Sequence, residues 1–126
     1  MRWNIRNDAP VYSQLVEHIK MAIITGEFPL GGRLPSVREL ASEAGVNPNT
    51  MQRAFSELER EGLVLTQRTA GRTVTEEAER VEEAKRRLAA AAIQTFWVSM
   101  RRLGFAHDEA LRLLKNSGRT EKEEEV

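Results

Sequence analysis

The chain has no cysteine among its 126 residues, so disulfides, thiolate nucleophiles and thiolate-held zinc are excluded. It also lacks a long apolar run. The longest, Leu88 to Ile93, spans six residues, against about 20 for a membrane-crossing helix. Met1-Arg2-Trp3-Asn4-Ile5-Arg6 has none of the apolar character of a secretory signal. The expectation is therefore a cytoplasmic protein without a membrane partner. An excess of either charge is missing too, since 19 Lys and Arg balance 19 Asp and Glu. Bulk attraction to a polyanion is thus absent, and any nucleic-acid contact has to come from local placement of cations. Catalytic constellations are wanting as well. The two histidines, His18 and His107, stand in different segments without metal-ligand spacing, and no serine has a plausible neighbouring base. Gly31-Gly32 runs into Arg33-Leu34-Pro35 and is no phosphate loop. Neither enzyme activity nor a metal or cofactor is expected.

What is present reads as a folded protein, with 40% hydrophobic and 30% charged residues. Met1, Trp3 and Ile5 alternate with polar residues and suggest a short extended arm. Tyr12, Leu15, Val16, Ile19, Ala22 and Ile23 then recur at helical spacing, after Pro10 and before Thr25-Gly26. Two prolines and two glycines from Phe28 to Pro35 exclude helix there. Ser36-Val37-Arg38-Glu39 is a capping box opening a short helix that Gly45 closes. Asn47-Pro48 opens the next, with Asn47 as cap, Pro48 at its first position and Glu61-Gly62 at its end. Leu63–Thr66 and Arg72–Thr75 read as two strands joined by a hairpin turn at Gln67–Gly71.

The segment from Ser36 to Gly62 carries the functional signal. Two capped helices around the turn Gly45-Val46-Asn47 have the form of a helix–turn–helix, whose second helix projects its N-terminal end. Met51, Ala54, Phe55 and Leu58 form the inward stripe of that helix. Asn49, Gln52, Arg53 and Ser56 must then face outward. Asn and Gln suit adenine edges, and Arg suits guanine or phosphate. The hairpin after it can serve as a wing, with Arg68 and Arg72 flanking its tip and no acid between Leu63 and Thr75. Taken singly, each of these side chains is ordinary surface. A different class of function, a winged helix that docks another protein without DNA, also fits the pattern. Salt-dependent DNA binding separates the two.

Leu34-Pro35-Ser36-Val37-Arg38-Glu39-Leu40-Ala41, Gly45-Val46-Asn47-Pro48-Asn49-Thr50-Met51-Gln52-Arg53-Ala54 and Leu58-Glu59-Arg60-Glu61-Gly62-Leu63 together resemble the winged-helix domain of GntR-type bacterial transcription regulators. The resemblance runs from about Pro10 to Val74. It implies a sequence-specific repressor that binds a palindromic double-stranded operator as a homodimer. Arg38 matches a phosphate- and base-contacting arginine. Asn47, Pro48, Asn49, Thr50 and Gln52 match base- and backbone-contacting positions, and Arg68 and Gly71 match the wing. Thr69 stands where the family has a glycine and Thr73 where it has an aromatic. The short remainder is similar to the YtrA-type branch, in which such a C-terminal region implies dimerisation.

The predicted organisation is mainly α with a small β-wing: a winged helix-turn-helix domain over residues 1–75, a two-helix dimerisation or effector region over 76–117, and an unordered acidic tail over 118–126. Val81, Ala84, Leu88, Ala91, Thr95 and Val98 alternate three- and four-residue steps, the spacing of a helix–helix seam. A shorter helix from about Ala106 to Lys115 adds Leu111 and Leu114 to the expected dimer contact. Phe96, Trp97, Met100 and Phe105 cluster at the end of the long helix. Their main role is expected to be packing, with a pocket for a small-molecule effector as the competing reading.

Overall fold

A computed structural model describes the backbone of residues 1–125 and the side chains of residues 1–118. Seven elements follow in order: α1 (Val11–Ile24), α2 (Val37–Ala44), α3 (Pro48–Arg60), β1 (Val64–Gln67), β2 (Gly71–Val74), α4 (Ala78–Arg102) and α5 (His107–Glu125). They form two compact units, Met1–Lys85 and Arg86–Val126.

In the first unit the three helical stripes meet in one core. Leu15, Ile19, Met51, Ala54, Phe55 and Leu58 are wholly inaccessible. Leu34, Leu40, Val64 and Val74 close the same cluster. The helix starts follow from local chemistry. Ser36 Oγ accepts the Glu39 amide at 3.1 Å, and Asn47 Oδ1 accepts the Asn49 amide at 2.8 Å. Gly45 ends α2 at φ 70°, a conformation an L side chain takes only at a cost of about 1–2 kcal/mol. That turn redirects the chain from α2 into α3.

β1 and β2 pair antiparallel, with Val64 opposite Val74 and Gln67 opposite Gly71. The ladder is displaced by one residue from the strands expected at 63–66 and 72–75. Gly71, at φ 72°, closes the turn inside the strand rather than before it, as in a hairpin with a glycine bulge. The Phe28–Pro35 loop adds something the sequence does not announce. Arg33 bridges to Thr73, the Leu34 amide donates to the Arg72 carbonyl at 2.9 Å, and the Val74 amide donates to the Gly32 carbonyl at 2.9 Å. β2 is thus bonded on both edges, and Thr73 is buried.

The N-terminal arm joins no strand. Trp3 and Ile5 rest on the core, and Gln14 substitutes for a neighbouring strand. Its side-chain oxygen accepts the Arg6 amide at 2.7 Å, and its Nε2 donates to the Arg6 carbonyl at 2.8 Å. Gln14 is accordingly buried despite its polarity.

The first unit ends beyond Thr75, where the sequence placed the boundary. Val81 is buried in its core and Ala84 packs against it, so the first turns of α4 belong to the winged-helix unit. In the second unit Ala110 is buried. Phe96 meets Trp97 edge-on at 5.1 Å between ring centroids, and Trp97 stacks on His107 at 4.4 Å. α5 runs to Glu125 rather than ending near Lys115. The expected acidic tail has helical backbone up to that residue; its side chains from 119 onward and Val126 lie outside the described residues. Among the described residues no helix is long and apolar enough to cross a membrane.

Candidate nucleic-acid interface

The outward edge of α3 presents Asn49, Gln52, Arg53 and Ser56, all exposed, with Thr50 half-buried beside them. The edge is rigid because the opposite face, from Met51 to Leu58, is locked in the core. Asn47 and Pro48 are exposed at its tip, and the Asn47 oxygen is engaged as the cap. Gln52 Nε2 lies 3.5 Å from Ser56 Oγ, a contact long enough for Gln52 to exchange for a better partner.

Arg38 is exposed on α2, and Arg68 is exposed at the wing tip. Among the described residues neither is in an ion pair, which leaves both guanidinium groups available to phosphate. Gly71 is exposed beside the turn. The two remaining arginines of the expected set are held. The Arg53 guanidinium lies over the Tyr12 ring, 3.7 Å from its centroid, a cation–π contact that leaves its edge open. Arg72 is drawn inward, its Nε donating to Glu59 Oε1 at 2.7 Å.

Tyr12 and Glu59 are therefore parts of this surface that the sequence reading missed, as is Arg33. Arg33 is exposed and borders an open cleft of about 530 Å³ with Ser36, Glu39, Thr66, Gly71 and Arg72. Its signal was present only as a cation in a loop, and its place comes from the bridge to Thr73. On the flank of α3, the hydrogen bond from Arg60 holds the half-buried Glu57 carboxyl below the usual carboxylate range. Among the described residues no cluster of His, Asp and Glu is arranged to hold a metal ion.

The seam residues divide between the units. Val81 and Ala84 serve the first core. In the second unit Leu88 and Leu111 are half-buried, while Ala91, Thr95, Val98 and Leu114 are exposed. Among the cluster expected either to pack or to bind an effector, Phe96, Trp97 and Met100 are half-buried and Phe105 is exposed. One face of Trp97 is already covered by His107.

A three-helix core, a capped helix pair around a glycine turn and a braced hairpin define a winged helix-turn-helix protein. The pattern of the bacterial regulatory proteins of the gntR family matches residues 11–74. The HTH-type transcriptional regulator YhcF of Bacillus subtilis is 39% identical over 110 residues, covering 87% of this chain and 91% of its own. The HTH-type transcriptional repressor YtrA of the same organism is 42% identical over 73 residues, 58% of this chain and 56% of its own. A solved GntR family regulator from Listeria monocytogenes superposes with a TM-score of 0.81 at 35% identity, covering 88% of this chain and 97% of that one. The chain belongs to the gntR family of bacterial regulatory proteins. It is a transcriptional regulator with a DNA-binding domain, not an enzyme.

Proposed function

We propose that the protein is a cytoplasmic repressor that binds a palindromic operator as a homodimer and blocks transcription from the promoter containing it. The observation that carries this reading is the outward edge of α3, where Asn49, Gln52 and Arg53 project from a helix whose other face is wholly buried. Arg38 and Arg68 supply phosphate contacts, Asn47, Pro48 and Thr50 approach the backbone with the helix tip, and Gly71 lets the wing come close. The name repressor, carried by the relative YtrA, supports the direction of control.

Dimerisation is supported by apolar surface in the second unit. Ile93 is 57% exposed, Leu103 72%, and Val98, Leu113 and Leu114 each 40% or more. Five large apolar side chains left this open in one small unit point to a covering partner, and twofold symmetry is the commonest solution. Two protomers then present two reading helices to two half-sites. The full chain carrying Ile93→Glu and Val98→Glu is expected to sediment as a monomer with an undisturbed helical spectrum. A variant that still sediments as a dimer places the contact elsewhere.

Arg38→Ala tests the DNA surface. It is expected to weaken binding to every duplex about tenfold, the scale of one charge-assisted hydrogen bond. It should also flatten the dependence of log K on log salt by about 0.9 per protomer. Titration of a fluorescent duplex by anisotropy reads both quantities. An unchanged affinity removes Arg38 from the surface.

A further inference from the structure

We propose that Glu59 sets the attitude of the wing against the reading helix, and that Arg72 is its internal strut and contacts no phosphate. The proposal rests on the DNA-binding surface described above and changes the role of one of its arginines.

A hairpin of two four-residue strands has little stability of its own. Buried Val64 and Val74 and the Gly32–Leu34 loop seat its base, and its outer half needs a further grip to hold one direction relative to α3. Glu59, in the last turn of α3, supplies that grip with one carboxylate oxygen. Oε1 accepts from Thr66 Oγ1 of β1 at 3.0 Å and from Arg72 Nε of β2 at 2.7 Å. Thr66 and Arg72 are direct partners across the ladder. One carboxylate therefore holds both strands at the same level, from the same face. Neither charged partner is fully solvated, with the Arg72 side chain 25% exposed and that of Glu59 32%. The Arg72 guanidinium also lies 5.2 Å from the centroid of the Phe55 ring, at the buried heart of α3. To reach a phosphate Arg72 has to surrender an ion pair and a ring contact and leave Glu59 facing DNA. Arg68 has no such ties and stands at the tip. The wing thus offers DNA one cation, and the other one aims it.

The test uses the full chain and a fluorescent mixed-sequence duplex titrated between about 50 and 200 mM salt. Arg68→Met is expected to flatten the salt slope by about 0.9 per protomer, and Arg72→Met to lower affinity several-fold at unchanged slope, because a loosened wing still carries Arg68 but has to be ordered on binding. Glu59→Gln keeps an acceptor for Thr66 but discharges the brace. It frees Arg72 for phosphate and should steepen the slope by a similar amount. Glu59→Gln combined with Arg72→Met should return the slope to that of the unaltered chain, an outcome that a purely structural role for Glu59 does not produce. Flattening by Arg72→Met as large as that by Arg68→Met overturns the proposal, and so does an unchanged slope in Glu59→Gln. If Arg38→Ala and Arg68→Met both leave the slope untouched, the DNA surface itself is wrong. The brace then stands or falls on amide exchange in the free protein: the amides of Leu65 and Thr73, a pair facing each other one step along the ladder from Thr66 and Arg72, should exchange several-fold faster in both Glu59→Gln and Arg72→Met. Unaltered exchange in the two variants overturns it.

Discussion

Phe55→Ala is expected to cost about 3–5 kcal/mol of folding stability, the range for removing a fully buried aromatic. Phe55 has no accessible surface. It projects from the middle of α3 into a cluster with Leu15, Ile19, Met51 and Leu58, and the Arg72 guanidinium lies over its ring. Side chains that are already packed cannot close around the vacated volume without dragging α3 toward α1. A small domain has only about 5–15 kcal/mol in total, so the loss leaves a substantial unfolded population near body temperature. Urea denaturation followed by circular dichroism measures the change through the midpoint. A shift equivalent to less than about 1 kcal/mol contradicts this account of the core, because it equals an ordinary surface substitution. DNA affinity should fall with the folded fraction, since the reading edge exists only while its opposite face is seated.

Gln52→Ala is expected to act differently, with almost no effect on stability and a large one on sequence choice. Gln52 is exposed, and among the described residues its side-chain amide has only the long contact to Ser56 Oγ at 3.5 Å. A bidentate side-chain contact to a base is worth about 1–3 kcal/mol of discrimination, or roughly ten- to a hundredfold at that base pair. Selection of bound fragments from a random duplex pool, run with the unaltered chain and the variant, should show one degenerate position in each half-site. Asn49→Ala should relax a neighbouring position. Identical selected sequences from chain and variant would show that Gln52 does not read bases. Binding to non-operator DNA should change little in either variant, in contrast to Arg38→Ala, which lowers affinity everywhere.

The helices of the first unit were legible because their information is local. Apolar spacing, the Ser36 and Asn47 caps and the glycine ends are all contained within a few residues, and those caps form as written. The exposed edge of α3 was legible for the same reason, since a stripe fixed by Met51, Ala54, Phe55 and Leu58 fixes its complement. What escaped depends on residues far apart in sequence. Arg72 read as a wing cation because nothing in its own neighbourhood is acidic, whereas its partner Glu59 lies thirteen positions away on another element. Tyr12 meets Arg53 across the unit in the same way. Arg33 gained its place only through a bridge to Thr73. The compact first unit runs on to Lys85, past the boundary read at Thr75, and periodicity did not show this because Val81 and Ala84 fit a helix–helix seam as well as they fit the core they enter. Periodicity shows which face of a helix is apolar and is silent on what that face meets.

If Arg72 stays turned inward on DNA as proposed, then with acids matching bases along the chain this regulator should have weak purchase on anonymous chromosome. A genome offers roughly 10⁶–10⁹ decoy addresses for each true one, and every spare cation would raise occupancy at all of them alike. Holding that arginine indoors should keep more of the protein in circulation. Fewer copies are then needed to keep one promoter covered.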